Sequence, residues 1–135
     1  MKVAIIGWGG VARRLASILM DSASGLSKDI THRFEISGIL RRSGAVCGIA
    51  DPAAPVFGAP MPVAEFLETC HADILVELST LNPHSGEPAI THIRSALDRG
   101  MHVVTANKGP VAHAWRDLTA AAQASGVRFL HESAV

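Results

Sequence analysis

The chain has 135 residues with 12 basic and 12 acidic side chains, so its formal net charge is zero when the seven histidines are neutral. That length fits one domain, which buries roughly two-thirds of the surface of its unfolded chain, and a hydrophobic content of 48% excludes intrinsic disorder. Balanced charge offers no basic field to a nucleic-acid backbone and no polybasic patch to a membrane.

Lys2–Ile6 is a short apolar run stopped by glycines, the pattern of a strand buried on both faces. From Val11 the period becomes helical, with Val11, Leu15, Ile18 and Leu19 on one face. The pattern fades over residues 21–29, rich in Ser and Gly. Residues 34–40 form the next strand, with Gly38 its weak point. The stretch 43–62 holds four prolines and three glycines and is expected as loop, with room for one short strand near Val56. Pro62 suits a helix start, which puts Val63, Phe66, Leu67 and Cys70 on one face. Residues 73–78 are a second buried strand. Residues 88–99 follow as a helix with Ile90, Ile93 and Leu97 inward and Gly100 as its stop. His102–Thr105 is a strand. Residues 111–125 are a helix with Val111, Trp115 and Leu118 inward and Gly126 at its end, and 127–131 are the last strand.

Strands separated by helices imply parallel pairing through right-handed crossovers, and no signal for a tight two-residue hairpin is present. The expected fold is α/β, a doubly wound, mostly parallel sheet filling residues 1–135 as one domain. Ligands of such sheets bind at the carboxyl ends of the strands. The loops at 7–10, 41–44, 79–86 and 106–110 are therefore the candidate site.

The first of these loops reads Gly7-Trp8-Gly9-Gly10-Val11-Ala12. It matches the G-x-G-x-x-G/A dinucleotide fingerprint of a Rossmann-like domain, with alanine in the third place. Gly7 makes the turn, Gly9 lets backbone approach a pyrophosphate, and Ala12 lets helix and strand pack closely. The amino end of the helix carries free N–H groups and roughly half a positive charge, which suit a diphosphate. Trp8 lies against the cofactor or covers the turn. At the end of the second strand stand Arg41, Arg42 and Ser43, with no acid to hold a ribose diol. Guanidiniums grip phosphate bidentately, so NADP(H) is favoured, with NAD(H) the alternative. In the later loops, Ser79 and Thr80 could face a nicotinamide or its ribose, or simply cap a turn. Lys108, in the Gly-Pro loop after Thr105 and Asn107, could steer a carboxylate or protonate a carbonyl oxygen that gains charge.

These residues together resemble the homoserine dehydrogenases. The match includes Glu77-Leu78-Ser79-Thr80-Leu81-Asn82-Pro83, Gly86-Glu87-Pro88-Ala89, the string Val103-Val104-Thr105-Ala106-Asn107-Lys108-Gly109-Pro110, and the terminal Glu132-Ser133-Ala134-Val135. The resemblance implies NAD(P)-dependent interconversion of L-homoserine and L-aspartate 4-semialdehyde, a step toward threonine, isoleucine and methionine. It further implies that Lys108 is one of two catalytic lysines, and that Thr80, Thr105 and Asn107 line the nicotinamide side. A monovalent cation, usually sodium, is implied near Glu132 and Val135. Members of the family continue into a substrate-binding, dimerising part. The 135 residues are thus expected to be the nucleotide half of a homodimeric enzyme, binding NADP(H) weakly and turning over nothing alone. Exposed apolar surface is expected where the other half would dock. Two other readings fit the same residues: a related reductase such as an aspartate dehydrogenase, or a non-catalytic dinucleotide-sensing module.

Other residues carry less. Cys47 and Cys70 are too few for a disulfide framework and lack a partner pair for zinc, so they are expected as reduced thiols of a cytosolic protein. Only Val3–Ile6 are apolar ahead of Gly7, short of the ~7–15 residues of a signal-peptide core, and no run approaches the ~18 of a membrane span. A soluble, cytoplasmic chain is expected. The histidines show no metal-binding spacing, and His84 is near the proposed site.

Overall fold

The structure is a computed structural model that describes residues 1–20, 34–49 and 51–132. The expectations for residues 21–29, His32 and Val135 lie outside the described residues. The chain runs β1 (Lys2–Ile6), α1 (Gly10–Met20), β2 (Glu35–Arg41), β3 (Gly44–Cys47), α2 (Val63–Cys70), β4 (Ile74–Glu77), α3 (Ala89–Asp98), β5 (His102–Thr105), α4 (Lys108–Ser125) and β6 (Phe129–His131). The strands form one six-stranded sheet in the order β3-β2-β1-β4-β5-β6. The expected doubly wound, Rossmann-like sheet is what the chain builds.

Strand β1 is central because both its faces are apolar. Val3 and Ile5 point to the side of α1, where they pack with Ala12, Ala16, Ile36, Ile39 and Val76. Ala4 and Ile6 point to the opposite side, against Phe66, Leu67, Leu75, Ile93 and Leu97 from the sheet, α2 and α3. The two-residue period of a strand thus splits one apolar run into two cores. Phe66, Ile5, Ile39, Leu75, Ile93 and Leu97 are among the largest fully buried side chains, each stabilising the fold by about 1.5–3 kcal/mol relative to exposure.

Four expectations need correction. A tight hairpin does exist: β2 and β3 pair antiparallel with Arg41 opposite Gly44, leaving only Arg42 and Ser43 in the turn. Neither is the glycine or asparagine that usually announces such a turn, and the strand occupies residues 44–47 rather than the neighbourhood of Val56, which is exposed. Second, the inward face of α1 carries Ala12 and Ala16, spaced four apart, while Val11 is 68% exposed. Third, α4 begins at Lys108 rather than Val111, and Ala114 is non-helical with φ −143°. That break rotates the apolar face, so Leu118, Ala121 and Ala122 are buried while Trp115 is 47% exposed. The Trp115 indole donates instead to His131 Nε2 at 3.3 Å. Fourth, Cys47 and Cys70 are joined in a disulfide. The unforeseen β3 brings Cys47 to the last turn of α2, and the Cα atoms stand 5.4 Å apart, within the span of a disulfide.

One sheet face stays partly bare. Val104 and Leu130 are paired neighbours on β5 and β6, and both are exposed. No helix among the described residues is long and apolar enough to cross a membrane.

Candidate functional site

At the carboxyl ends of β1, β2 and β4 the chain leaves a cleft of about 790 Å³, lined by the glycine turn, Leu40, Arg41, Arg42, Met61, Val63, Leu78, Ser79, Thr80, Pro88, Thr91 and His92. The glycine turn forms its floor. Gly7 donates its N–H to Leu40 O at 2.8 Å, and Leu78 N–H donates to Ile6 O at 2.7 Å, so the turn is pinned between β2 and β4. Gly7 sits at φ +99°, and a Cβ there would lie 2.5 Å from Leu78 O. Only glycine fits. An added Cβ at Gly9 meets nothing within 4 Å, so the backbone at Gly9 borders open cleft. Helix α1 starts here, its first bond running from Arg13 N to Gly9 O at 3.0 Å. The amides of its first turn therefore have no acceptor within the helix.

The structure brings Gly7, Trp8, Gly9, Arg41, Arg42, Ser79 and Thr80 to this cleft. Gly10 and Val11 are exposed in the first turn of α1, and Ala12 is buried against the sheet. Ser43 is exposed in the hairpin turn. Arg41 stacks its guanidinium over the Phe57 ring at 3.7 Å, and the Trp8 ring lies 6.4 Å from Phe57. Trp8 and Arg41 also border a second groove of about 650 Å³ on the side of Arg13 and Met20, so Trp8 stands as a partition between two hollows.

Thr105, Asn107 and Lys108 do not line the cleft. Thr105 and Asn107 are buried beside it, around a residue whose role sequence reasoning missed. The side chain of Glu77, the last residue of β4, is fully buried. Its Oε1 accepts from the backbone N–H of Ser79 at 2.9 Å and from the Ser79 hydroxyl. Its Oε2 accepts from Thr105 Oγ1 at 3.3 Å and Asn107 Nδ2 at 3.4 Å. His92 Nδ1 lies 3.6 Å from Oε1. Burial pushes the Glu77 carboxyl up, but His92 and the Ser79 hydrogen bonds outweigh it and hold the group below its ordinary value. The signal was present in the sequence: an acid closing an otherwise apolar strand.

Asn107 has a second task. Its Oδ1 accepts from Gly109 N at 3.1 Å and so caps α4, leaving Lys108 exposed as the first helical residue. The two loops are in contact, since a Cβ on Gly86 would lie 2.9 Å from Gly109 O. His113 Nε2 is 2.8 Å from Pro83 O. Glu132 is exposed just beyond β6, and its N–H donates to Thr105 O at 3.2 Å. Among the described residues no three His, Cys, Asp or Glu side chains gather as a metal site, His84 included.

The model of the NAD-binding domain of homoserine dehydrogenase matches residues 7–132. An NAD(+)-dependent homoserine dehydrogenase of Pseudomonas canavaninivorans is 33% identical over 99% of this chain and 43% of its own length. The crystal structure of a putative homoserine dehydrogenase from Archaeoglobus fulgidus superposes with a TM-score of 0.83 at 26% identity, covering 100% of this chain and 43% of that one. A hyperthermophilic archaeal homoserine dehydrogenase in complex with NADPH gives 0.75 at 25% identity, over 96% of this chain and 43% of that one. The chain spans less than half the length of the curated relatives it matches.

Proposed function

Because the chain belongs to the homoserine dehydrogenase family, in the part that forms its NAD-binding domain, we propose that its cleft holds a nicotinamide adenine dinucleotide, NADP(H) in preference to NAD(H). The observation that carries this reading is the convergence of the glycine turn, the Arg41–Arg42 strand end and the Ser79–Thr80 loop on one cleft. The residues present fit the group. Open backbone at Gly9 and the amides of the first turn of α1 suit a diphosphate. Arg41 and Arg42 supply the positive charge that a 2′-phosphate requires, and among the described residues no acid lines the cleft.

For the whole protein we propose interconversion of L-homoserine and L-aspartate 4-semialdehyde. When bound, the dinucleotide supplies or accepts the hydride. Lys108 stabilises or protonates the oxygen that gains charge as the aldehyde is reduced. Thr105 and Asn107 act from beneath the nicotinamide side. In this reading the substrate is clamped by a further part of the protein, which also forms the homodimer and completes a sodium site with Glu132 and Val135. The 135 residues alone bind NADP(H) and turn over nothing, because both reactants must be held together.

The test is titration of the chain with NADPH and NADH, followed by tryptophan emission, Trp8 being in the cleft, and by calorimetry. Saturable binding with NADPH tighter supports the reading. Tighter or equal NADH removes the role given to Arg41 and Arg42. No binding of either overturns the cleft assignment.

A further inference from the structure

We propose that Glu77 is a positioning residue for the cleft: its buried carboxylate ties the loop after β4 to the loop after β5, holding Ser79–Thr80 and Asn107–Lys108 as one wall. This rests on the dinucleotide reading above for its functional meaning, and on geometry alone for the tie itself.

An ionised carboxylate accepts hydrogen bonds and donates none, with about four lone-pair positions on two oxygens. Glu77 has no contact with water, yet it is surrounded by donors from both loops. Oε1 serves the Ser79 amide and hydroxyl on the first loop. Oε2 faces Asn107 Nδ2 and the Thr105 hydroxyl from the second. The remaining Asn107 Nδ2 proton goes to Ser79 O at 3.2 Å, which crosses between the loops directly. The Thr105 hydroxyl also reaches Glu77 O at 3.0 Å and accepts from Asn107 N at 3.0 Å. An apolar residue at position 77 would leave the Ser79 amide and hydroxyl and one Asn107 Nδ2 proton without their acceptor, and a neutral amide would present N–H groups to N–H groups. Only an acceptor-only side chain satisfies the set, which is why a fully buried charge is retained here.

The consequence is specific. Among the described residues Lys108 has no hydrogen bond to the cleft of its own; its place follows from the Asn107 cap, and Asn107 is held by Glu77 and Ser79. Among the described residues, the hydrogen bonds of the Glu77 carboxylate go to Ser79, Thr105 and Asn107 and none to the glycine turn, Arg41 or Arg42. Its loss should loosen one wall and spare the other.

The experiment compares the 135-residue chain with its Glu77→Gln variant, first by amide hydrogen exchange. The expected result is exchange faster by about tenfold or more at Ser79 and Asn107, with Ile5 in β1 unchanged. Change at Ser79 alone, no change at either loop, or equal acceleration at Ile5 would each overturn the tie. Should Glu77→Gln fail to fold, Asn107→Ser keeps a capping oxygen but removes the Nδ2 donation. Exchange at Ser79 must then rise while Gly109 stays protected, and an unchanged Ser79 refutes the proposal. The second arm measures binding of NADPH against 2′,5′-ADP, which carries only the adenosine and phosphate end. Glu77→Gln should weaken NADPH by about tenfold or more while 2′,5′-ADP stays within about twofold. Equal losses, or none, overturn the positioning role. If the unaltered chain binds neither ligand, the dinucleotide reading fails, and the exchange data still decide the tie.

Discussion

Glu77 Oε1 and His92 Nδ1 stand 3.6 Å apart beside the cleft, and among the described residues the buried His92 nitrogen finds no partner at hydrogen-bond distance. Burial alone would push the Glu77 carboxyl up, yet the His92 contact and the Ser79 hydroxyl and amide hold it below the ordinary value of 4.5. A group whose folded pKa is depressed contributes stability that is fully present above its unfolded pKa. That stability disappears as pH falls through the folded pKa. The chain should therefore lose its advantage over Glu77→Gln as the pH falls from about 5 further into the acid range. Urea midpoints of both proteins across that range check this. A gap of the same size at both ends contradicts it.

The Cys47–Cys70 disulfide closes a segment with a sequence separation of 23. By the loop-entropy argument such a link stabilises by about 3 kcal/mol. It joins the short edge strand β3 to the last turn of α2, and so anchors the hairpin whose tip carries Arg42. The double variant Cys47→Ala, Cys70→Ala should unfold at a lower urea concentration than the oxidised parent. It should match the parent once a dithiol is added. An identical midpoint for oxidised parent and variant would argue against the link.

The family fold was legible in the sequence because its signals are local. Apolar runs of four or five residues, glycine stops and helical periods each report on their own neighbourhood, and the glycine turn carries its own geometry. What escaped depends on distant partners. Nothing in Gly44-Ala45-Val46-Cys47 announces a strand until β2 is there to pair with it, and the disulfide depends on that pairing. Trp115 has core spacing in a regular helix, but the break at Ala114 turns it outward. Seven of the expected cofactor residues reach one cleft. Thr105 and Asn107 instead hydrogen-bond Glu77, a contact visible only once two loops converge on it. Val11 kept its place in the glycine pattern but not in the core, because two small alanines suffice to seat α1 closely on the sheet.

Arg42 offers the sharper handle on coenzyme choice. Arg41 is partly occupied by Phe57, 3.7 Å from its guanidinium, whereas Arg42 occupies the hairpin turn and is exposed at the edge of the cleft. Arg42→Asp replaces a phosphate partner with a group that repels phosphate and can accept from a ribose diol. NADPH affinity should fall on the order of tenfold or more, the size of one charge-assisted hydrogen bond, while NADH holds or improves. Calorimetric titrations with both coenzymes measure this, and an unchanged ratio would remove Arg42 from the site.

Lys108 presents the clearest case for separating binding from chemistry. It is exposed at the start of α4, outside the cleft proper, and no hydrogen bond of the fold depends on its ammonium group among those the structure describes. Replacing it should leave stability and coenzyme affinity close to those of the parent. In the whole protein, a single donor aimed at an oxygen that gains charge is worth about 3–4 kcal/mol in the transition state, so Lys108→Ala should lower kcat by a factor on the order of 100 to 1000. Loss of turnover with coenzyme affinity retained is the signature of a group that acts on the reacting oxygen. Turnover above about a tenth of the parent's would place the proton or the charge elsewhere, since no group stabilising the transition state to that degree could be removed so cheaply.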